Sequence, residues 1–310
     1  MDKGHNYADK ILAQIADEML KVFDEIESKV IEKLKRYLKR FEKEIKEHEQ
    51  MVDDGEMTEK EFEQWFIGKV TTGKEWNKIR DELTDDLTDA MSDALKLTGL
   101  GLNTVYLYNL AFAERSISSQ VSKWLNRRVT FNKTPKRRLL PKSPDPVKNR
   151  FWHRRKIESV IRKGMKKGQS VDKIAKQLNK VIGMDRTSAY RAARTAITNA
   201  ENVARLDAMR EADEFYGIKY DKVWIATLDD RTRTSHRVIN GERIPYDQEF
   251  SNGLMFPADD SGDPEEVYNC RCTLGWAIAG IDADIPEGPD GMGKLEWSAK
   301  KPISKPYPRW

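Results

Sequence analysis

The chain has 310 residues, of which 38% are hydrophobic and 34% are charged, and its formal net charge at pH 7 is +4. This length allows two domains, and this balance is typical of solvated helices in a soluble protein, not of one large core. No apolar run approaches the ~20 residues that cross a bilayer, and two cysteines one residue apart cannot form a disulfide framework. We therefore expect no signal peptide, no membrane span and a reducing cytoplasm.

The first predicted element is a helix from residue 8 to about residue 50. Its apolar residues recur every three or four positions and form one stripe, while Lys and Glu occupy the other faces. This pattern favours packing against helices of the same chain and leaves open a coiled coil with a second chain. The stripe consists of Ile15, Met19, Val22, Ile26, Val30, Leu34, Leu38, Phe41 and Ile45.

Three further helices are predicted before residue 126. Thr58 and Glu61 have the spacing of a capping box, which starts a helix through Trp65 and Phe66. A helix over 74–97 has an acidic face that is typical of a solvated surface and could also hold a cation. We expect Gly99 and Gly101 to break the chain, and the helix over 103–125 to form the core because it is the most apolar. Its apolar residues include Val105, Tyr106, Leu107, Leu110, Phe112 and Ile117.

The composition changes between Lys123 and Lys156, where thirteen Lys or Arg residues accompany one acidic residue and four prolines. Proline interrupts helices, so we predict an exposed basic linker. Such a linker can neutralise phosphates without reading bases, which predicts sequence-independent binding of double-stranded DNA. The alternative is a basic strap over the acidic helix of residues 74–97. The candidate DNA-binding residues are Lys123, Arg127, Arg128, Lys133, Lys136, Arg137, Arg138, Lys142, Arg150, Arg154 and Arg155.

Three more helices are predicted over 151–166, 170–182 and 185–213. Ser170 is a good N-cap, and Gly183 is a good helix stop. The last helix carries a face of small residues that permits close approach by another element. We expect the strands of the C-terminal module to lie on this face, with Arg191, Arg194 and Glu201 at its edges.

The C-terminal module is predicted to contain short strands that present polar loops. Residues 223–226 have strand composition, and residues 274–278 are predicted to form a closing strand. Asn240-Gly241 is the pair that best suits a two-residue hairpin turn. The fold class is therefore α+β, with an elongated helical N-terminal region and a small module of antiparallel strands packed on helices.

The polar residues of this module follow one order. Asp-x-Arg-Thr-Arg-x-x-His ends at His236, an Ile-Asn-Gly turn follows, and Asn-Cys-Arg-Cys ends at Cys272. Together with the helix over 194–202, this set resembles the C-terminal domain of phage Mu F-like head morphogenesis proteins over about residues 185–280. The motif residues are Asp229, Arg231, Arg233, His236, Asn240, Gly241, Cys270, Arg271 and Cys272.

The resemblance implies a non-enzymatic minor head protein inside the virion. It implies association with the portal vertex and a role in head morphogenesis and in packaging or delivery of the genome. The implied partners are the portal protein, the major capsid or scaffolding protein, and double-stranded DNA.

Two enzymatic alternatives centre on His236. A His-Asn-His nuclease needs further histidines, yet no histidine follows His153 except His236, and the Ser-Thr-Ser motif of ADP-ribosyl transferases is absent. We therefore expect the charged residues to form an internal ion-pair network, with Arg271 paired to Asp229 or Asp230.

A zinc site is the alternative to a cofactor-free module. His236, Cys270 and Cys272 offer ligands that suit zinc, although Cys-x-Cys is a narrow spacing and no fourth ligand is evident. The resemblance implies a Cys-x-x-Cys in many relatives where this chain has Arg233-Thr234-Ser235-His236. The other interpretation makes both cysteines small buried hydrophobes on one face of a strand.

The last thirty residues are rich in Pro and Gly and carry aromatic residues. This composition predicts an extended tail that either docks on the portal or shell or stays solvated. The predicted domains are a helical region over 1–126, a basic linker over 127–150, the Mu F-like domain with its helical lead-in over 151–280, and the tail over 281–310.

Overall fold

The computed structural model of the chain describes residues 2–125, 146–167 and 169–280, with no side chains described at 121–125, 146–148 and 165–166. Within these ranges the chain forms nine helices and three strands, so the predicted α+β class is confirmed. None of the helices in these ranges is long and apolar enough to cross a membrane. The elements are α1 Lys3–Lys39, α2 Glu42–Asp53, α3 Glu59–Val70, α4 Gly73–Leu125, α5 Pro146–Lys166, α6 Val171–Lys176, α7 Leu178–Tyr216, β1 Tyr220–Ile225, α8 Thr234–Val238, β2 Arg243–Pro245, α9 Pro264–Val267 and β3 Thr273–Ile278.

The chain divides into two compact units, each built from segments that are distant in sequence. The described residues of the first unit are 2–17, 96–125 and 190–280, and those of the second are 18–95, 146–167 and 169–189. The first unit contains the sheet and the whole motif region. The domain bounds predicted from composition stay a prediction.

The predicted helix over residues 8–50 is two helices, because the chain leaves helical geometry at Arg40 and Phe41. Phe41 has φ −103° and ψ 2°, and the amides of both residues bond to carbonyls three residues back. The apolar stripe continues across the break, so periodicity alone does not reveal it. Most of the predicted stripe is buried. Val22, Ile26 and Phe41 are half-buried, and Phe23, which was not predicted, is buried.

The predicted break at Gly99 and Gly101 is wrong, since α4 runs through both residues. A Cβ atom on Gly101 would lie 2.6 Å from Ile15 Cδ1 and 2.9 Å from Ile11 Cγ2. Glycine at this position therefore permits close helix packing within the first unit and does not end the helix. Most of the predicted apolar residues of α4 are buried, whereas Leu107 is exposed.

The predicted helix stop at Gly183 is also wrong, because α7 begins at Leu178 and continues through this glycine. The Thr187 hydroxyl donates to the Gly183 carbonyl within the helix. The helix predicted over 170–182 ends early, as α6, at Lys176. Two predicted starts are confirmed, the Ser170 N-cap and the capping box of Thr58 with Glu61.

The acidic face of α4 pairs with basic side chains of the second unit. Asp86 accepts from Lys29 at 2.7 Å and also from Lys33. These pairs lie at the surface, where Lys29 is 54% exposed, so part of the acidic face has basic partners within the protein. Further pairs are Arg40 with Glu75 and Arg150 with Asp85.

The sheet has the strand order β2-β1-β3, and both pairings are antiparallel. Lys222 on the central strand faces Ile244 on one side and Trp276 on the other. The Trp276 ring packs edge-on against Phe112 of α4, with ring centroids 6.2 Å apart. The sheet of the first unit therefore packs on helices, as predicted.

The Asn240-Gly241 pair does not form the predicted two-residue hairpin turn. It follows α8, where Gly241 has φ 85° and donates its amide to the Trp224 carbonyl at 2.8 Å. The Asn240 carboxamide accepts from the Ala226 amide at 2.8 Å. The pair therefore joins the end of α8 to the end of β1, and the β1–β2 connection is long.

Two predicted features lie outside the described residues. The predicted basic linker over 127–150 lies outside them as far as residue 145, and its last five residues instead form the start of α5. The tail over 281–310 and the side chain of Lys123 also lie outside them. Their roles stay predictions.

Candidate functional site

A row of polar side chains on α7 holds the chain that leads into β3. Thr198 Oγ1 donates to the Cys270 carbonyl at 3.0 Å, and Asn199 Nδ2 donates to the Ala258 carbonyl at 2.9 Å. The strands were expected to lie on the small residues of this helix. Amide and hydroxyl side chains of α7 also take part in this contact. They donate to backbone carbonyls of a segment that has no regular secondary structure of its own to satisfy them.

Asn202 is the centre of this row and is fully buried. Its Nδ2 donates to the carbonyls of Pro257 and Cys272 at 3.1 and 3.3 Å, and its Oδ1 accepts from the Leu274 amide at 2.7 Å. One side chain therefore sets the position of both the 257 loop and the start of β3. A buried amide with this many partners tolerates substitution poorly.

Asp229 and Arg271 form the predicted ion pair. Both guanidinium NH groups of Arg271 donate to the Asp229 carboxylate, which also accepts from the Arg231 amide at 3.0 Å. The hydrogen bonds from Arg271 hold the pKa of Asp229 well below its usual range. The pair closes the base of the loop that carries the motif.

The wider ion-pair network predicted for the three arginines of the motif does not form as expected. Arg231 is 66% exposed at its side chain, and its nearest approach to Asp229 is 3.9 Å. Arg233 donates to the backbone carbonyl of Tyr268 and not to an acid. The structural role therefore falls on Arg271.

His236, Cys270 and Cys272 meet in the interior of the module. Cys272 Sγ lies 3.4 Å and Cys270 Sγ 3.7 Å from His236 Nδ1. All three residues are at most 2% exposed. Both cysteines are free thiols and lie just before β3, so the expectation that they share one face of a strand is wrong while their burial is as expected.

Glu266 faces the other nitrogen of His236. His236 Nε2 lies 2.9 Å from Glu266 Oε2, and the Ser235 hydroxyl donates to the same carboxylate. The Trp224 ring packs edge-on against the imidazole, with centroids 5.0 Å apart. The ring is thereby fixed with Nδ1 directed at the sulfurs.

The two thiols have opposite electrostatic surroundings. Burial raises the pKa of the Cys270 thiol. Hydrogen bonds from Cys270 and from His236 hold the pKa of Cys272 well below its usual range. Two sulfurs and an imidazole nitrogen that converge in this way form a donor set with affinity for soft metal ions.

A second buried cluster escaped prediction from the sequence. Arg205 is fully buried and donates to Asp2 at 2.7 and 3.0 Å, to Asn109 and to the Leu274 carbonyl, and it lies 3.0 Å from Glu201. Glu201 was expected at the edge of the small-residue face, but it is 1% exposed. Arg194, expected at the same edge, is also buried. The one feature of the sequence that could have predicted this cluster is the presence of Glu201 and Arg205 within a helix that is rich in small residues.

His5 completes this cluster, with Nδ1 3.0 Å from Glu201. Burial by itself lowers the pKa of His5, but the adjacent Glu201 carboxylate raises it to about 9. The pKa of Glu201 is lowered, because the charges of His5 and Arg205 outweigh the effect of burial. The cluster ties residues 2–5 to α7 across 196 and 203 residues of sequence.

The described members of the basic segment lie on α5. Arg150 pairs with Asp85, and the Arg155 guanidinium lies 5.7 Å from the centre of the Phe151 ring. Arg154 is exposed on the same helix. These contacts are compatible with DNA binding and with a purely structural role at the surface, so the DNA contact stays a prediction.

Comparison with known proteins identifies the region that contains the motif. Residues 155–275 match the family model described as Phage Mu protein F like protein. A stretch of 139 residues is 29% identical to Minor head protein GP7 of Bacillus phage SPP1. This stretch covers 42% of the present chain and 42% of GP7. Another of 161 residues is 28% identical to NAD(+)-arginine ADP-ribosyltransferase EFV of Enterococcus faecalis, covering 50% of this chain and 30% of that protein. No solved structure matches the chain.

The chain therefore spans less than half the length of either relative. The family match contains α8, both cysteines and all but the first residues of α5. It also begins thirty residues before the region where the motif predicted the resemblance. Residues 155–275 are therefore similar to the Mu F-like family, as the ordered motif predicts.

Proposed function

We propose that this protein is a non-enzymatic minor component of a phage head that binds at the portal vertex and acts in head morphogenesis and in packaging or delivery of the genome. It lies on the interior side of the capsid and assembles in the host cytoplasm. The portal protein is the principal partner, with the major capsid or scaffolding protein as a further contact.

One observation carries this proposal. Within the Mu F-like region, the charged motif residues of the described chain bind other parts of the module. Asp229 is engaged by Arg271, and Arg233 by the Tyr268 carbonyl. This arrangement supports a scaffold more than a reaction site, because a general acid or base must reach a substrate proton.

The basic linker binds the DNA of the genome. Its Lys and Arg side chains neutralise DNA phosphates without base specificity, so the affinity falls steeply with salt. The tail over 281–310 fastens the protein to the portal or shell.

Co-purification with the portal protein of the same phage tests the proposal. The tagged full-length chain is expressed with the portal protein, treated with nuclease and captured at low and at high salt. We expect a complex that survives both treatments. Failure to capture the portal protein at low salt contradicts the proposal.

A charge-neutralised variant serves as the control for DNA bridging. Replacing Lys136, Arg137 and Arg138 by Gln should abolish the salt-dependent retention of DNA and leave capture of the portal protein intact. Loss of both together would assign the portal contact to the linker. A second variant that lacks residues 282–310 should enter heads less efficiently than the full chain, and undiminished entry removes the role of the tail.

The sequence identity to an ADP-ribosyltransferase favours one competing function, transfer of ADP-ribose to arginine. The purified chain, incubated with NAD(+) and an arginine-containing acceptor, should release no nicotinamide above background. Nicotinamide release that depends on the acceptor and disappears on substitution of His236 or Glu266 would overturn the non-enzymatic assignment.

A further inference from the structure

Three metal-binding side chains converge at one buried point of the C-terminal module. The ligand atoms of His236, Cys270 and Cys272 all lie within 4.8 Å of one another. We propose that these residues bind one zinc ion, with Glu266 as the residue that positions the histidine. This inference is independent of the proposed role in the phage head.

The distances fit the size of the ion. A tetrahedral zinc site has Zn–S bonds of about 2.3 Å and Zn–N bonds of about 2.0–2.1 Å, so its sulfur and nitrogen ligands lie about 3.5 Å apart. The two sulfurs here lie 3.4 and 3.7 Å from His236 Nδ1. An ion can therefore enter with small adjustments of the side chains.

The histidine is already oriented as a ligand. Its Nε2 faces Glu266 at 2.9 Å, and Glu266 is fixed in turn by the Ser235 hydroxyl. A proton on Nε2 leaves the lone pair of Nδ1 directed at the sulfurs. Zinc-bound histidines commonly donate their second N–H to a carboxylate, which fixes the tautomer and the ring. Glu266 is close enough to Nε2 to accept this proton after a small rotation of either side chain.

The donor set selects the metal. Two thiolates and one imidazole suit zinc and disfavour magnesium and calcium, which prefer oxygen ligands. Binding displaces the proton of each thiol that is still protonated, and these protons pass to solvent. In the described part of the chain no fourth His, Cys, Asp or Glu joins the group, so the fourth position takes a water molecule. Thr227, Thr232 and Asn269 line the shallow depression beside the site.

The ion would join two parts of the module that are distant in sequence. His236 lies on α8, and the cysteines follow it by 34 and 36 residues, directly before β3. The segments between them contain little regular structure. The metal ion would therefore cross-link two parts of a region in which few helices or strands hold the chain together.

The test uses the full-length chain with a tag that contains no histidine, purified without chelators from medium that contains zinc. Elemental analysis should give about one zinc per chain. The only two cysteines of the sequence are the proposed ligands, so a thiol reagent reports on this site alone. Both thiols should be protected in the purified protein and should react quickly after a chelator removes the metal.

Three variants distinguish a ligand set from a merely buried cluster. Cys272→Ser should lose the metal, and Glu266→Gln should keep it with ~10–100-fold lower affinity. His48→Gln, which replaces a histidine far from the group in sequence, should retain one zinc per chain. Circular dichroism on each variant identifies any that fail to fold. Cobalt substituted into the unaltered chain gives an independent readout, the charge-transfer bands of tetrahedral thiolate ligation.

Metal-free protein after growth in zinc, thiol reactivity that the chelator does not change, or cobalt spectra without thiolate bands would overturn the proposal. A disulfide between Cys270 and Cys272 in freshly purified protein would overturn it as well. The Glu266→Gln variant keeps the test decisive if Cys272→Ser does not fold, because it leaves all three ligands in place.

Discussion

The two units differ in how their backbone N–H and C=O groups are hydrogen-bonded. In the second unit, long helices satisfy their own backbone, and charged side chains pair at the surface, as Lys29 does with Asp86. In the C-terminal module of the first unit, residues 226–272 contain only two short helices and one short strand. There, buried side chains such as Asn202 and Arg205 satisfy the backbone instead.

This difference predicts where substitutions are costly. An exposed ion pair contributes about 0–1 kcal/mol, because water and salt screen it. Removing one partner of a buried pair strands the other and costs about 3–5 kcal/mol. The module should therefore be more sensitive to polar substitutions than the helical unit is.

The largest effect is expected for Arg205→Met. The substitution leaves the Asp2 and Glu201 carboxylates and the Leu274 carbonyl without their shared donor, and we expect a loss of about 3–5 kcal/mol in the free energy of unfolding. Urea denaturation measures it. The control is Arg210→Met on the same helix, where the side chain is 48% exposed and the expected loss is below about 1 kcal/mol. Equal losses would contradict the comparison.

The same cluster should make stability depend on pH through His5. Because the folded-state pKa of His5 is raised to about 9, its contribution is complete below about pH 6.5 and is lost as the pH rises through 9. The loss is about 1.4 kcal/mol for each unit by which the pKa is raised. The melting temperature should fall over this window, and His5→Gln should flatten the fall. His48→Gln is the control, and a flattened profile in that variant would refute the assignment.

Asn202→Leu tests the centre of the polar row on α7. The substitution leaves the Leu274 amide and the Cys272 and Pro257 carbonyls unpaired, so we expect a loss of about 2–3 kcal/mol. Asn199→Ala removes one bond, from the half-buried Asn199 side chain to the Ala258 carbonyl, and should cost about 1 kcal/mol. Thermal and urea denaturation of both variants measure the two losses in the free energy of unfolding, which can then be compared. A loss at Asn199 that matches the loss at Asn202 would contradict the central role of Asn202.

Asp229→Asn should cost about 1 kcal/mol, because the side chain is 37% exposed and solvent screens the pair with Arg271. Since the pKa of Asp229 is depressed, its contribution is present above the unfolded pKa near 4 and is lost as the pH falls toward the folded value. Arg231→Ala should change stability by less than about 0.5 kcal/mol. The two variants compared at neutral and acidic pH decide which arginine supports the loop.

A pair of helical glycines should give effects of opposite sign. Nothing lies within 4 Å of a Cβ atom on Gly183, so Gly183→Ala should stabilise the protein by up to about 1 kcal/mol. At Gly101 the added methyl group meets Ile15 and Ile11, and the crowding should cost about 1–3 kcal/mol, against a gain in helix propensity of about 1 kcal/mol. A rise in the melting temperature for Gly183→Ala and a fall for Gly101→Ala would support this account. Equal changes in the two variants would contradict it.

Local features were predictable because local physics fixes them. The capping box of Thr58, the N-cap at Ser170 and the composition of β1 and β3 each depend on a few neighbouring residues. The order of the motif residues predicted the family model that residues 155–275 match. The glycines failed as predictors because a helix stop and a close-packing position use the same residue, and only the neighbours in space distinguish them.

The sequence by itself determined the α+β class, the apolar stripe of the first helices and the chemistry available to the motif. Only the tertiary structure placed His236 beside both thiols, bound Arg271 to Asp229, and brought Asp2 and His5 to the buried charges of α7. The physical reason is distance along the chain. A hydrogen bond or ion pair between residues 34 to 203 positions apart has no local pattern, because it forms only when packing of the intervening elements brings both groups together.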